Sequence, residues 1–190
     1  MTLKRELVET YRWLRQYGLN DSHSGNASIR EGDVIWITPT GAGADTLSDT
    51  DLVACNIKGD IGDNASLDAP LHIAVYQTNA ETRCVLHSHG PHTVAITLDG
   101  KDFKPVDFEG AYYFERVPVL NISYRDYLDD SPGQVSRALS KYRIAVVRGH
   151  GVYAGAETIN LAYKWTSSLE QSAKTSFLAH QAGTVATKNP

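Results

Sequence analysis

The spacing of apolar residues predicts a helix near each end of the chain. Residues 2–17 place apolar side chains on one helical face, with Thr2 suited to cap the N-terminus and Gly18 to end the helix. Residues 157–181 repeat apolar positions at the same spacing and predict a long amphipathic helix. We expect each helix to bury its apolar face, in the core or, for the second, against another subunit.

Short apolar runs between these helices predict β-strands. The runs are rich in β-branched residues and are bounded by Gly, Asp and Asn. They cover the alternating run that ends at Arg30 and residues 34–38, 52–57, 82–86 and 144–147. Helices before, between and after several short strands favour an α/β domain layered around a largely antiparallel sheet.

Three shorter helices and more strands are predicted in the middle of the chain. One helix follows Asp68, another covers about residues 93–98, and a third begins with a capping box at residues 131–134 and continues to about residue 141. Residues 101–123 predict short strands. Three side chains are expected on a half-buried face of these strands: Glu109, Tyr112 and Tyr113.

Length and composition fit a single domain spanning residues 1–190. Charged residues make up 21% and hydrophobic residues 42%, as in ordinary globular proteins. The formal charge of −4 comes without a basic stripe, so no nucleic-acid partner is expected. The sequence has no apolar run near the roughly 20 residues that span a bilayer, no apolar secretory segment, and only Cys55 and Cys84 as thiols. We therefore expect a cytoplasmic protein without membrane attachment.

The histidines indicate a metal site. Alternate residues of a β-strand share a face, so His87 and His89 can close on one ion. His150 follows the apolar run 144–147, and three imidazoles from two strand ends are typical of catalytic zinc with an open coordination position. Two histidines on one strand face also occur without a metal, and the spacing does not show whether His150 lies near them.

Two other segments allow both a structural and a functional interpretation. Residues 38–43 end a strand in hydroxyl-bearing residues and glycines whose backbone N–H groups could cradle an anion, although composition alone favours a plain loop. Asp68 precedes Pro70 and an apolar helical run, so helix capping explains it fully. A carboxylate at this position could also face a pocket.

Five motifs in order resemble the class II aldolase/adducin head family, from about residue 3 to residue 180. They are GNAS at 25–28, TPTG at 38–41, SLD at 66–68, HSH at 87–89 and GHG at 149–151. The resemblance implies a three-layer α/β/α fold on a central, largely antiparallel sheet. It also implies a homotetramer with active sites between neighbouring subunits.

The resemblance assigns roles by position. His87, His89 and His150 match the metal ligands, and a divalent ion, with zinc favoured, is expected as the cofactor. Asp68 matches a glutamate that serves as acid/base and can also touch the metal. Five residues match positions that hold the substrate's phosphate in the aldolases: Gly25, Asn26, Thr40, Gly41 and Ser66. His92 matches no required ligand.

Two positions depart from the aldolase pattern. Asp68 is one methylene shorter than glutamate, which draws the carboxylate back by about 1.5 Å. Leu67 stands where a second phosphate-binding serine is common, so one hydrogen-bond donor to a substrate phosphate is missing at this position. Glu109 lies in the segment where some aldolases place a catalytic tyrosine.

The resemblance implies a metal-dependent lyase. Such an enzyme cleaves a C–C bond of a small hydroxy-carbonyl substrate, sugar or sugar-phosphate-like, by retro-aldol chemistry through a metal-bound enediolate. One alternative is a decarboxylase, dehydratase or epimerase on a related hydroxy or oxo acid, since relatives of this kind share the intermediate. The alternative of another class is a non-catalytic, adducin-like interaction module; such modules lack the full histidine set that this chain has.

Overall fold

Seven strands form one sheet in the computed structural model, which describes residues 2–185. Their order across the sheet is β3-β2-β1-β4-β7-β6-β5, and every neighbouring pair is antiparallel except β5 and β6. The strands are β1 (Asn26–Glu31), β2 (Val34–Ile37), β3 (Val53–Asn56), β4 (Cys84–Ser88), β5 (Val119–Leu120), β6 (Ile144–Val147) and β7 (Gly151–Ala156). The predicted, largely antiparallel sheet is confirmed.

Helices cover both faces of this sheet. They are α1 (Leu3–Gln16), α2 (Ala69–Thr78), α3 (Pro91–Ile96), α4 (Phe108–Tyr113), α5 (Tyr127–Leu139) and α6 (Ile159–Ala182). Alternation along β4 sends Cys84 and Leu86 into a core with α1 and α6, and Val85 into a core with α2 and α5. The three-layer α/β/α arrangement is therefore confirmed. Among the described residues, no helix combines the length and apolarity needed to cross a membrane.

The two terminal helices form where the apolar spacing predicts them. The Thr2 side chain accepts a hydrogen bond from the Arg5 amide at the start of α1, and Gly18 follows the helix with a φ of 71°. In α6, Ile159, Ala162, Leu169 and Ala173 are buried. Burial of one helical face against the core is thus the main stabilising feature of both elements.

Helix α5 begins four residues before the predicted capping box, at Tyr127 rather than Ser131. Pro132 lies inside the helix, where its φ is compatible with helical backbone but it cannot donate a hydrogen bond to the Leu128 carbonyl. Leu128 is exposed, so water can satisfy that carbonyl. The predicted helix start was therefore wrong, and the additional turn brings Tyr127 to the end of the sheet.

The prediction of strands through residues 101–123 was also wrong in part. Residues 108–113 form α4, because the Asp107 side chain accepts a hydrogen bond from the Gly110 amide and caps the helix at 2.9 Å. Glu109 and Tyr112 are therefore exposed on a helix rather than half-buried on a strand face, and only Tyr113 is half-buried. Strand β7, which is rich in small residues, has no clear hydrophobic signal in the sequence.

Candidate active site

Three imidazoles converge at one end of the central strands. His87 is in β4, His89 follows its end, and His150 lies in the tight turn between β6 and β7. One ring nitrogen of each lies within 4.8 Å of the others, and the Nε2 atoms of His87 and His150 are 3.3 Å apart. Two donors each about 2.1 Å from one tetrahedral ion would lie about 3.4 Å apart. The three residues therefore fit a divalent metal ion and could hold one.

The protonation of the cluster also suits a metal. His87 Nδ1 donates to the Val152 carbonyl at 3.0 Å, which leaves the Nε2 lone pair directed at the other rings. Burial lowers the pKa of His87 and His150. Burial, followed by repulsion from His150, lowers the pKa of His89 to about 4. All three rings are therefore neutral near pH 7, the form that binds metals.

Glycines in two of the motifs allow this close approach. A Cβ on Gly151 would lie 2.4 Å from the Ser88 carbonyl oxygen and under 3.0 Å from both His87 and His89. A Cβ on Gly25 would lie 2.5 Å from the His87 carbonyl oxygen, and its φ of 71° also favours glycine. The GNAS and GHG glycines thus have a specific steric role beside the histidine cluster.

Asn20 supports the same segment and was not identified from the sequence. Its side-chain oxygen accepts a hydrogen bond from the His89 amide at 2.9 Å, and its side-chain nitrogen donates to the His87 carbonyl at 3.4 Å. Because Asn20 lies within an ordinary helix-to-strand connection, between α1 and β1, no local pattern distinguishes this asparagine. It fixes the backbone of two candidate ligands.

The histidines open onto a cavity of about 770 Å³. Every substrate-binding residue expected from the resemblance lines it: Gly25, Asn26, Thr40, Gly41 and Ser66. Leu67, Arg125 and Arg148 also line the cavity. The structure thus brings all the predicted site residues to one cavity, and their individual roles stay predictions.

The backbone of the 38–43 loop is partly committed to its own fold. The Thr40 amide donates to the Asn64 carbonyl at 3.0 Å, and the Ala42 amide donates to the Pro39 carbonyl at 3.2 Å. These two N–H groups are therefore not free to cradle an anion. The loop can still offer the Thr40 hydroxyl and the Gly41 backbone to a ligand in the cavity.

Asp68 occupies the N-cap position of α2, but its side chain does not cap the helix. It precedes α2 but its side chain makes no capping hydrogen bond, because the carboxylate turns toward the cavity. Oδ2 accepts hydrogen bonds from Asn26 Nδ2 and the Tyr153 hydroxyl, and Oδ1 accepts one from the Tyr127 hydroxyl, each at 2.8 Å. The capping interpretation, complete as it was from sequence, is therefore wrong.

The electrostatics of Asp68 favour the ionised carboxylate. Burial alone would raise the pKa of this carboxyl, but the His87 imidazole and the hydrogen bonds from Asn26 and Tyr127 outweigh it and lower the pKa to about 2. Burial and the Asp68 charge raise the pKa of Tyr127 and Tyr153. The site therefore holds a carboxylate anion between two protonated phenols.

Both tyrosines were missed by the sequence reasoning. Strand register places Asn26, His87 and Tyr153 side by side across β1, β4 and β7, and the Tyr153 ring stacks on His87 at a centroid distance of 4.0 Å. Tyr127 meets the edge of His150, with ring centroids 4.7 Å apart. Register would have identified Tyr153, but β7 was not predicted, and the late start assigned to α5 concealed Tyr127.

His92 lies outside the cluster, as its mismatch to the family's ligands predicts. Its Nδ1 lies 2.7 Å from Glu170 Oε1, and Glu170 also accepts hydrogen bonds from the backbone amides of His92 and Thr93. Glu170, on α6, thus anchors the start of α3 directly behind the HSH segment.

Known proteins are similar to this chain in both sequence and fold. The family model for the class II aldolase and adducin N-terminal domain matches residues 5–177. An L-fuculose phosphate aldolase of Methanococcus maripaludis is 27% identical over 157 residues, 81% of this chain and 84% of that protein. Human beta-adducin is 26% identical over 177 residues, 85% of this chain but 24% of that protein.

The fold likeness is equally extensive. The crystal structure of L-fuculose-1-phosphate aldolase from Thermus thermophilus superimposes with a TM-score of 0.87 and 28% identity over 95% of each chain. The match of the family model to most of the chain, with the motifs and the cavity they line, identifies the family. The chain belongs to the class II aldolase and adducin N-terminal domain family.

Proposed function

We propose that this protein is a metal-dependent lyase that cleaves a C–C bond of a small hydroxy-carbonyl substrate by retro-aldol chemistry. The observation that carries the proposal is the convergence of three neutral imidazoles with an ionised carboxylate on one cavity wall. Sugars and sugar phosphates are the substrate class that fits, given the similarity to fuculose phosphate aldolases.

His87, His89 and His150 would hold the cation, and zinc suits three imidazole ligands. When bound, such a cation supplies Lewis acidity that stabilises negative charge on the substrate oxygens as the C–C bond breaks. Three protein ligands leave room for those oxygens. The half-exposed His89 and His150 face the cavity from which a substrate would enter.

Asp68 is the proposed acid/base. In retro-aldol cleavage one substrate hydroxyl loses its proton, the C–C bond breaks, and the carbon that retains the electron pair takes up a proton. A base for this exchange must be ionised and within reach of the substrate. Among residues 2–185, Asp68 is the only carboxylate in the cavity lining, and its low pKa keeps it ionised.

The end of the substrate that lies away from the histidines would contact the GNAS, SLD and TPTG segments. Asn26 and Ser66, on the GNAS and SLD segments, offer an amide and a hydroxyl, and Thr40 and Gly41 line the same cavity next to the Ser66 segment. Arg125 adds positive charge at the rim. We therefore propose that this end carries a phosphate or a carboxylate.

A second candidate reaction is decarboxylation, dehydration or epimerisation of a related hydroxy or oxo acid. Leu67 favours it, because this side chain lines the cavity and is 71% exposed where a hydroxyl would help to bind phosphate. Aldehyde and ketone products from sugar phosphates would support the aldolase, whereas carbon dioxide from 3-oxo acids would support the decarboxylase.

The decisive experiment is His89→Ala with His180→Ala as a matched control, since His180 is exposed on α6. Metal content is measured on the purified proteins, and activity on a panel of sugar phosphates and 3-oxo acids. We expect about one ion per chain in the wild type and the control, and loss of both metal and activity in His89→Ala. Unchanged metal content and activity in His89→Ala would overturn the proposal. A wild type without metal or activity would favour the adducin-like module.

We also propose a homotetramer with active sites at subunit interfaces. Exposed apolar side chains at the cavity rim support it: Leu67, Tyr124 and Leu128. Light scattering on the purified protein should give four times the chain mass, and a monomer would refute this assembly. The cytoplasmic location stays a prediction.

A further inference from the structure

Asp68 lies close enough to the histidine cluster to compete for a metal position. Its Oδ2 atom is 4.0 Å from His87 Nε2, only slightly farther than the 3.3 Å between the Nε2 atoms of His87 and His150. A small rotation of the side chain would bring a carboxylate oxygen into the range of a fourth ligand. What holds the carboxylate in its present position therefore determines how many coordination sites stay open for substrate.

Three side chains hold it, and we call them the Asp68 network: Asn26, Tyr127 and Tyr153. Asn26 and Tyr153 both donate to Oδ2, at 2.8 Å each. A carboxylate oxygen has two in-plane lone pairs, so both acceptor positions of Oδ2 are filled. Oδ2 can approach a cation only if one of these buried donors loses its partner, which opposes the movement.

The two tyrosines bond different oxygens of the Asp68 carboxylate and differ in burial. Tyr153 is fully buried and stacked on His87, so its hydroxyl has a fixed position. Tyr127 lines the cavity, is half-buried, and donates to Oδ1 at 2.8 Å. The two hydroxyls also contact each other. Each phenol has one proton, and both hydroxyls are placed to donate it to the carboxylate, which can only accept.

We propose that Tyr127 and Tyr153 are positioning residues that hold Asp68 off the metal, so that it serves as a base while the ion keeps three protein ligands and free positions for substrate. The inference rests on the proposed function in that it requires the histidine cluster to bind a cation. It goes further because it gives Asp68 an outer position, although the family's longer glutamate can touch the metal. The aspartate and the tyrosines then form one functional unit.

The test uses cobalt(II), whose visible absorption depends on coordination number and ligand type, bound to the protein of residues 1–190. The variants are Tyr127→Phe, Tyr153→Phe and the double variant, with Tyr163→Phe on α6 as the matched control. Cobalt affinity is measured by competition with a chelator, and thermal melting checks the fold. Tyr127→Phe also serves as the conservative variant if loss of the buried Tyr153 hydroxyl impairs folding.

We expect the double variant to show a changed cobalt spectrum and an affinity equal to or tighter than that of the wild type, because the freed carboxylate becomes a fourth ligand. Adding Asp68→Asn to the double variant should restore the wild-type spectrum. Tyr127→Phe alone should give a partial change of the same kind, and Tyr163→Phe should give none.

Two results would overturn the inference. An unchanged spectrum in the folded double variant would show that the tyrosines do not control ligation by Asp68. Affinity weakened by about 10- to 100-fold, with the spectrum retained, would show ordinary outer-shell support. If the wild type binds no cobalt, the proposed function fails as well, whereas cobalt binding with an unaffected spectrum removes only the role of the tyrosines.

Discussion

His72 should make the stability of the protein strongly dependent on pH. Its ring is fully buried below the site, 2.7 Å from the Ser28 hydroxyl through Nδ1, and its Nε2 atom has no hydrogen-bond partner among the described residues. Burial lowers the pKa of His72 from 6.5 to about 4, although the Asp68 charge opposes the shift. The folded protein therefore resists protonation of this ring, whereas the unfolded chain accepts a proton at its ordinary pKa.

The sign and size of the effect follow from this difference. Between pH 6.5 and about 4 the unfolded state binds more protons than the folded state, so stability falls as the pH falls through this window and levels off below it. Integrating the two titrations gives a loss of about 2 kcal/mol at pH 5 and about 3 kcal/mol at pH 4, relative to pH 8.

The assay is urea unfolding of the metal-free protein at pH 8, 6, 5 and 4, for the wild type, His72→Gln and His180→Gln. Contributions from other buried histidines are common to all three proteins and cancel in the differences. The difference in stability between wild type and His72→Gln should shrink by about 3 kcal/mol from pH 8 to pH 4. His180→Gln, altered at an exposed ring, should follow the wild type. Parallel curves for wild type and His72→Gln would show that burial of the His72 ring does not make stability depend on pH.

Three further predictions concern single side chains. Glu170→Ala should lower the free energy of unfolding by about 2–3 kcal/mol in urea titrations, because the amides of His92 and Thr93 lose their acceptor; Gln at this position should restore much of the loss. Gly151→Ala should weaken metal binding by about 10- to 100-fold in a chelator competition, since its Cβ displaces two candidate ligands, while Gly155→Ala, which has ordinary contacts, should bind as the wild type does. Leu86→Ala, at a fully buried position, should lower the free energy of unfolding by about 2–5 kcal/mol in the same assay. Leu178→Ala, at an exposed position, should lower it by less than about 0.5 kcal/mol.

Much of the fold was predictable because apolar periodicity and turn residues are local signals. The terminal helices, the strands around residues 34–37, 53–56 and 144–147, and the antiparallel character of the sheet follow from them. Strand β7 escaped prediction because glycine and alanine carry little β preference, and its position between β4 and β6 is set by pairing rather than by its own residues. The start of helix α5 was misplaced because residues 131–134 have the pattern of a capping box with proline at the first helical position. A proline in the interior of a helix is uncommon, so the pattern favoured a helix start there.

The candidate site also has a part that local sequence signals predict and a part that depends on long-range contacts. The histidines were identified because a short motif gives their spacing, and the cavity brings them together with Asn26, Thr40 and Ser66. The local sequence around Asp68 indicates a cap, and its actual partners come from β1, α5 and β7, which lie 42, 59 and 85 residues away along the chain. A hydrogen-bond network assembled from such distant segments leaves no periodic pattern.

The register of the sheet explains why this network forms around Asp68. Asn26 and Tyr153 are the direct neighbours of His87 on either side, so any carboxylate placed above His87 meets a donor from each flanking strand. A longer side chain at the start of α2 would extend beyond these donors toward the imidazoles, whereas aspartate ends level with them. The shorter residue is therefore matched to its surroundings and is not simply a weakened glutamate. It follows that the carboxylate of an Asp68→Glu variant should reach the imidazoles only by giving up the hydrogen bonds from Asn26 and Tyr153. The position of the Asp68 carboxylate consequently depends on the donors that β1 and β7 place on either side of His87.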